Sequence, residues 1–205
     1  KWELIKKENF DHFHDILEEG TPIVLYDRVH KDIVCDKVVT DNIKSAYKAT
    51  RFLMRSNCKN IALVSSTSSL NVSKFRIQGY LKALTKYGVV TNEKLIINQD
   101  KEDGLKLRIS DMLENNEVDG IFTIDEVSAA LTTQVLNKRN IKIPEEISIV
   151  GFTNGILSRY STPPLTSVNR FAHTTGEIAA ARLIEKIEEK IELNDFKTEI
   201  VRAEL

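Results

Sequence analysis

Five polar residues stand just beyond apolar runs of the chain, where a parallel sheet would present them to a bound molecule: Asp41, Arg76, Asp125, Thr153 and Asn154. Asp41 follows Val38-Val39, and Arg76 follows the stretch Ser65-Ser66-Thr67-Ser68-Ser69. Asp125 follows Ile124, and Thr153-Asn154 follow Gly151-Phe152. Strand ends in a parallel α/β sheet open onto a crevice, and polar side chains there address ligands. A carboxylate accepts hydrogen bonds from hydroxyls, and a guanidinium offers paired donors in one plane to hydroxyls or a carboxylate. Each residue also has a structural reading. Asp41 and Asp125 can cap helices, Arg76 can pair with a surface neighbour, and Thr153-Asn154 can form a turn.

Catalysis needs a constellation that these residues do not make. The sequence holds no G-x-S-x-G elbow, no phosphate-binding G-x-x-x-x-G-K loop and no H-E-x-x-H. His12 and His14 are two apart and point to different faces of a helix, so they cannot share a metal. No second histidine stands at ligand spacing from His30 or His173. No enzymatic activity, metal or cofactor is therefore expected. Cys35 and Cys58 have neither metal-ligand spacing nor the number for a disulfide framework, and read as buried or half-buried thiols in a reducing cytoplasm.

Bulk charge points the same way. With 29 Lys and Arg against 30 Asp and Glu the net charge is −1, and the chain as a whole lacks the basic excess of a DNA-binding domain. Its longest basic runs are Lys6-Lys7 and Lys138-Arg139. No apolar run approaches the ~18 residues of a membrane helix, so no membrane association is expected. No charged-then-apolar secretory leader opens the chain, and Lys1 enters directly into charged sequence. That is the pattern of an excised piece or of a chain whose leader has been removed.

The elements that must position the five residues alternate between short apolar runs and amphipathic stretches, the signature of a parallel α/β sheet. Phe10, Phe13, Ile16 and Leu17 have helical spacing, and Gly20-Thr21-Pro22 ends that helix before the strand Ile23-Val24-Leu25-Tyr26. A second run holds Ile33, Val34, Val38 and Val39. Ile43, Ala46, Ala49, Thr50, Leu53 and Met54 line the next helix, and Ile61 to Val64 reads as a strand buried on both faces. Helices follow around Tyr80–Tyr87, Leu105–Leu113 and Val127–Gln134, with strands at Leu95–Ile97, Ile121–Ile124, Ile147–Phe152 and Leu165–Val168. The longest helix is expected to carry Ala179, Leu183, Ile184, Ile187 and Ile191, and Ile200-Val201 to close the chain as an edge strand. The Ser-rich break at 65–69 reads as an interlobe crossing, a ligand-facing turn or an ordinary strand-to-helix connection.

Five ordered motifs resemble the lactose/galactose-repressor (LacI/GalR) family. They are Ile143 to Phe152 (IPEEISIVGF) with Pro163 to Val168 (PPLTSV), and Pro22 to Arg28 (PIVLYDR). Val39-Thr40-Asp41-Asn42 with Lys59 to Val64, and Arg76-Ile77-Gln78-Gly79-Tyr80 with Ala83-Leu84, complete the set. The resemblance covers nearly the whole chain. It implies a two-lobed periplasmic-binding-protein-like type I fold, with parallel sheets flanked by helices and the first lobe incomplete at its N-terminus. Residues 1–65 with 165–191 would form the first lobe, and 66–164 with 192–205 the second.

The resemblance further implies the effector-sensing core of a cytoplasmic bacterial transcriptional regulator. A small molecule in an interlobe cleft would control a dimer whose operator DNA is read by a helix-turn-helix domain absent from this chain. Dimerisation would use the helix after Asp125 and the loop after Phe152. The alternative is a periplasmic sugar-binding protein of the same fold. Asp41 and Arg76 match effector-contacting positions of the family. Two departures alter the ligand: Ile124-Asp125 stands where the family has Asn-Asp, and Thr153 where it has Asp. A sugar hydroxyl left unpaired costs ~1–3 kcal/mol, so a less polar or anionic effector, or none, is implied.

Overall fold

The computed structural model describes residues 11–67, 70–153 and 155–205. Asn154 and the Ser68-Ser69 part of the Ser-rich stretch lie outside the described residues, as does the Phe10 expected to open the first helix. The chain divides into two compact units. Unit 1 takes the residues up to Asp41 together with Phe171–Arg202, and unit 2 takes Asn42–Arg170 with Ala203–Leu205.

Unit 1 contains α1 (Asp11–Glu18), β1 (Val24–Tyr26), β2 (Asp36–Thr40), α7 (Ala172–Ile187) and β8 (Thr198–Val201). Its three strands are parallel in the order β1-β2-β8, with Val38 opposite both Tyr26 and Glu199. β8 is an edge strand, as its position at the chain end suggested. Alternation along β2 buries Asp36, Val38 and Thr40 on one face. Val38, Ala179 and Val201 pack together, and Ile33 with Cys35 collects Phe13, Leu17, Ile23 and Leu25.

Unit 2 contains α2 (Asn42–Arg55), β3 (Ile61–Ser65), α3 (Asn71–Lys86) and β4 (Ile96–Asn98), the last entered through a short 3-10 turn. It continues with α4 (Glu102–Asn115), β5 (Gly120–Thr123), α5 (Glu126–Lys138), β6 (Ser148–Gly151), α6 (Ile156–Tyr160) and β7 (Thr166–Ser167). The five strands are parallel in the order β4-β3-β5-β6-β7. Alternating residues of one strand enter different cores. Leu63, Phe122 and Val150 join Ala46, Ala49, Leu53, Tyr80 and Leu84 of α2 and α3. Val64, Ile121 and Ile149 join Leu105, Ile109, Leu131 and Leu136 of α4 and α5. Burial on both faces is why these strands read as unbroken apolar runs.

Three expectations are corrected. The lobe boundaries at 65/66 and 191/192 are displaced: α2 and β3 belong to unit 2, and β8 pairs with β2 in unit 1. The unit changes between Thr40 and Asn42 and returns near Arg170. Apolar periodicity marks a βαβ unit but not the sheet it joins. The Ser-rich stretch therefore connects β3 to α3 inside unit 2 and is no interlobe crossing. Third, α7 stops at Ile187, short of Ile191, and its buried positions are Thr175, Ala179 and Lys186, while Ile184 and Ile187 are 51% and 62% exposed. The helix turns its cationic stripe inward because Asp36, buried on β2, attracts Arg182 and Lys186.

Candidate functional site

The carboxyl edge of the unit-2 sheet is organised around Arg76. This side chain rises from α3 and is 4% exposed. Its Nε donates to Asn42 Oδ1 at 2.9 Å, and its Nη1 donates to the Ile124 carbonyl at 2.6 Å. The guanidinium carbon lies 4.1 Å from the centre of the Phe152 ring. One planar cation thus touches the start of α2, the residue after β5 and the residue after β6. A guanidinium seated over an aromatic ring and bonded at two of its nitrogens has one orientation, which is what recognition of a planar or hydroxylated ligand requires.

The residues after Arg76 explain why α3 can hold it there. A Cβ on Gly79 would overlap the Ile43 carbonyl and approach Ala46 Cβ to 2.7 Å and Tyr47 N to 3.0 Å, so the glycine lets α2 and α3 meet backbone to backbone. Tyr80 is buried, and its hydroxyl donates to the Ile61 carbonyl at 2.8 Å, pinning α3 to the start of β3. Burial pushes its phenol far above the usual range.

Asp125 fills the capping role open to it from the sequence. Its Oδ1 accepts from Ser128 N at 2.8 Å, and its own N–H donates to Ser128 Oγ at 3.2 Å, a reciprocal box at the start of α5. The same carboxylate accepts from Ser66 N at 2.9 Å and Ser66 Oγ at 2.5 Å. It therefore fastens the β3–α3 loop to the end of β5. The loop is braced further by Thr67 N donating to Ser65 Oγ at 3.2 Å and by a 2.8 Å contact between the Thr67 and Ser73 hydroxyls. Thr153 is 2% exposed, and its Oγ1 accepts from Gly155 N at 3.2 Å. Asp41 belongs to unit 1, where its N–H donates to the Val201 carbonyl at 3.2 Å. Ile124 is fully buried in the core beside α2, so its carbonyl and not its side chain serves the site.

Of the expected residues, unit 2 brings Arg76, Asp125 and Thr153 to one sheet edge. Asn42, which stands with Asp41 at one of the strand-end places the sequence offers, and Ser66, which it did not single out, complete the arrangement. Asn42 carried a signal, because it continues the buried stripe Ala46, Ala49, Leu53 one turn earlier, and a polar residue in such a stripe needs a partner. Among the described residues no group of three or more His, Cys, Asp and Glu is placed to hold a metal ion. No helix among them is long and apolar enough to cross a membrane.

The periplasmic binding protein-like domain matches residues 50–201. The chain belongs to this family. Within it, the chain is 33% identical over 170 residues to the HTH-type transcriptional regulator DegA of Bacillus subtilis, covering 82% of this chain and 49% of that protein. It is 27% identical over 168 residues to the HTH-type transcriptional repressor PurR of Pasteurella multocida, covering 81% and 49%. The chain thus spans about half the length of the curated relatives it matches. In fold it is similar to a LacI family transcriptional regulator from Enterococcus faecium with bound ribose, with a TM-score of 0.83 and 21% identity over 98% of this chain and 73% of that one. The LacI/GalR resemblance and the fold class read from the motifs are borne out. The match falls on the effector-binding part of such regulators.

Proposed function

We propose that the chain is the effector-sensing core of a bacterial LacI-type transcriptional regulator, acting in the cytoplasm and performing no catalysis. The observation that carries this reading is the 33% identity to DegA across 82% of the chain. In the whole protein, a helix-turn-helix part would read operator DNA, and effector binding would alter how a dimer presents that part. The effector is a small molecule, sugar-like or anionic, taken at the carboxyl edge of the unit-2 sheet. Arg76 supplies the oriented donor at that edge, with Thr153 after β6. Asp125 acts in this reading through Ser66, whose loop it holds. The ribose of the Enterococcus faecium regulator makes sugars the first ligand class to screen.

A thermal-shift screen of sugars, phosphorylated sugars, sugar acids and nucleobases tests the site, since a ligand of the native state raises the midpoint by mass action. Arg76→Lys keeps the charge and loses the planar fork. It is expected to weaken any hit about tenfold or more, the cost of one charge-assisted bond. A hit undiminished in both Arg76→Lys and Arg76→Ala would remove Arg76 from the site. Failure of the full-length protein to shift operator DNA at moderate salt would sink the regulator reading.

Dimerisation through α5 and the segment after β6 completes the proposal. Val127, Ile156 and Tyr160 are 40%, 72% and 81% exposed there, beside an open groove of about 530 Å³ lined by Ala130, Gln134, Asn137 and Thr162. Exposed apolar groups of this size mark association surfaces. The double variant Ile156→Glu/Tyr160→Glu is expected to sediment as a monomer under conditions where the parent chain is a dimer. Equal sedimentation of the two would place the interface elsewhere.

A further inference from the structure

Charge is distributed very unevenly along the chain. Residues 42–92 hold nine of the 29 Lys and Arg and none of the 30 Asp and Glu, so the remainder carries twenty basic against thirty acidic groups. The nearest carboxylates in sequence are Asp41 and Glu93. This segment builds α2 and α3, which pack on each other at Gly79 and cover one face of the unit-2 sheet. On α2, Lys44, Lys48, Arg51 and Arg55 follow at steps of four, three and four residues, the spacing of a single helical face. None of the four is buried, whereas Asn42, Ala46, Ala49 and Leu53 on the inward face all are. On α3, Lys74, Lys82 and Lys86 are exposed.

No ion pair among the described residues involves any of these seven cations, although other cations find carboxylates. Arg139 pairs with Glu114, and Arg182 and Lys186 pair with Asp36. Like charges four apart weaken a helix, so this stripe is not explained by the stability of α2. Half-exposed aromatic rings are interleaved with it: Phe52 at 40%, Phe75 at 43% and Tyr87 at 46%. The Arg51 guanidinium stands 6.0 Å over the Tyr47 ring.

We propose that the α2–α3 face is a docking surface for an acidic protein, one that presents Asp and Glu around apolar side chains. Charge complementarity sets the sign of the partner, and the aromatic rings beside Arg51 and Arg55 are of the kind enriched at protein interfaces. Duplex DNA fits less well. The 14 residues of α2 span about 21 Å, whereas one turn of duplex spans about 34 Å. The phosphates of a duplex would also offer nothing for Phe52 and Phe75 to bury against.

The test uses the 205-residue chain and three fluorescein-labelled probes. They are an amphipathic helical peptide of about 20 residues with a Leu and Phe stripe flanked by Glu, poly-glutamate of matched charge, and a DNA duplex of about 20 base pairs. Anisotropy at about 50 mM salt is expected to show the amphipathic peptide binding most tightly. Its affinity should fall about tenfold or more in K44E/K48E/R51E/R55E, and severalfold in F52S/F75S. The neutral variant K44Q/K48Q/R51Q/R55Q should also weaken it, with the parent's circular dichroism, which separates lost charge from misfolding. K101E/K106E, at the start of α4 and within it, should leave affinity unchanged. The proposal is overturned if the peptide does not bind the parent chain, if neither α2 variant weakens it, or if the α4 variant weakens it equally. Tighter binding of the duplex than of the peptide would also overturn it and assign the face to nucleic acid.

Discussion

Replacing Lys186 with alanine is expected to destabilise unit 1 by about 3 kcal/mol, because it takes one of two cations from a buried carboxylate and the donor from several carbonyls. The Lys186 side chain is 1% exposed, and its Nζ lies 3.0 Å from Asp36 Oδ2. It also donates to the carbonyls of Leu193 at 2.7 Å and of Glu192 and Asp195 at 3.2 Å, and stands 4.7 Å over the Phe196 ring. The one ammonium closes the segment after α7 back onto β2. Asp36 Oδ1 meanwhile accepts from Arg182 Nε at 3.0 Å and Lys197 N at 2.8 Å. Asp36→Ala should cost as much, since it leaves two cations facing a buried site. The double variant Asp36→Val/Lys186→Met should lose clearly less than the sum of the singles, because the buried ammonium and carboxylate leave together and only Arg182, which keeps Asp195, loses a partner. Urea denaturation of the four proteins checks this, and additive losses would show that the pair is not coupled.

The same cluster sets an acid limit. Burial alone would raise the Asp36 carboxyl, but the Lys197 N–H, Lys186 and Arg182 more than offset it and hold the group below its ordinary value of 3.8. A group whose folded pKa is depressed contributes fully above its unfolded pKa, and that contribution is lost as pH falls through the folded value. The parent chain should therefore lose stability below about pH 4, and the apolar double variant should show a flatter acid limb.

The sequence made unit 2 legible because its order is simple. Strands buried on both faces are unbroken apolar runs, and the helices between them carry apolar residues at helical spacing. Unit 1 was harder for a definite reason. Its long helix has two stripes, one of Ile184 and Ile187 and one of Thr175, Ala179 and Lys186, and hydrophobicity alone selects the wrong one. The lysine stripe wins because Asp36, some 150 residues earlier, supplies the charge that makes its burial tolerable. The site divided in the same manner. Asp125 stood out as a candidate from its place after an apolar run and Arg76 from its place beyond the Ser-rich stretch, but their partners depend on pairings across the fold. Arg76 finds Asn42 and a backbone carbonyl, and Asp125 finds Ser66, none of which spacing can specify.

Two helix glycines make the same distinction between pattern and space testable. Glycine costs a helix interior about 1 kcal/mol relative to alanine, so propensity predicts that alanine stabilises both α3 at Gly79 and α7 at Gly176. Nothing lies within 4 Å of a Cβ at Gly176, and Gly176→Ala is expected to raise stability by about 0.5–1 kcal/mol. At Gly79 the same Cβ meets the backbone of α2 and Ala46 Cβ at 2.7 Å, and neither can move without separating the helices. Overpacking of this kind costs typically 1–3 kcal/mol, so Gly79→Ala should be destabilising despite the better propensity, and Gly79→Val more so. The effect should reach the site. Gly79 is one turn from Arg76, and pushing α2 outward draws Asn42 away from the 2.9 Å bond that orients the guanidinium. A variant that keeps most of its stability but loses its ligand response in the thermal-shift screen would show that the glycine serves Arg76 through the approach of the two helices. A Gly79→Ala protein as stable and as responsive as the parent would show that α2 and α3 do not meet as closely as this geometry requires.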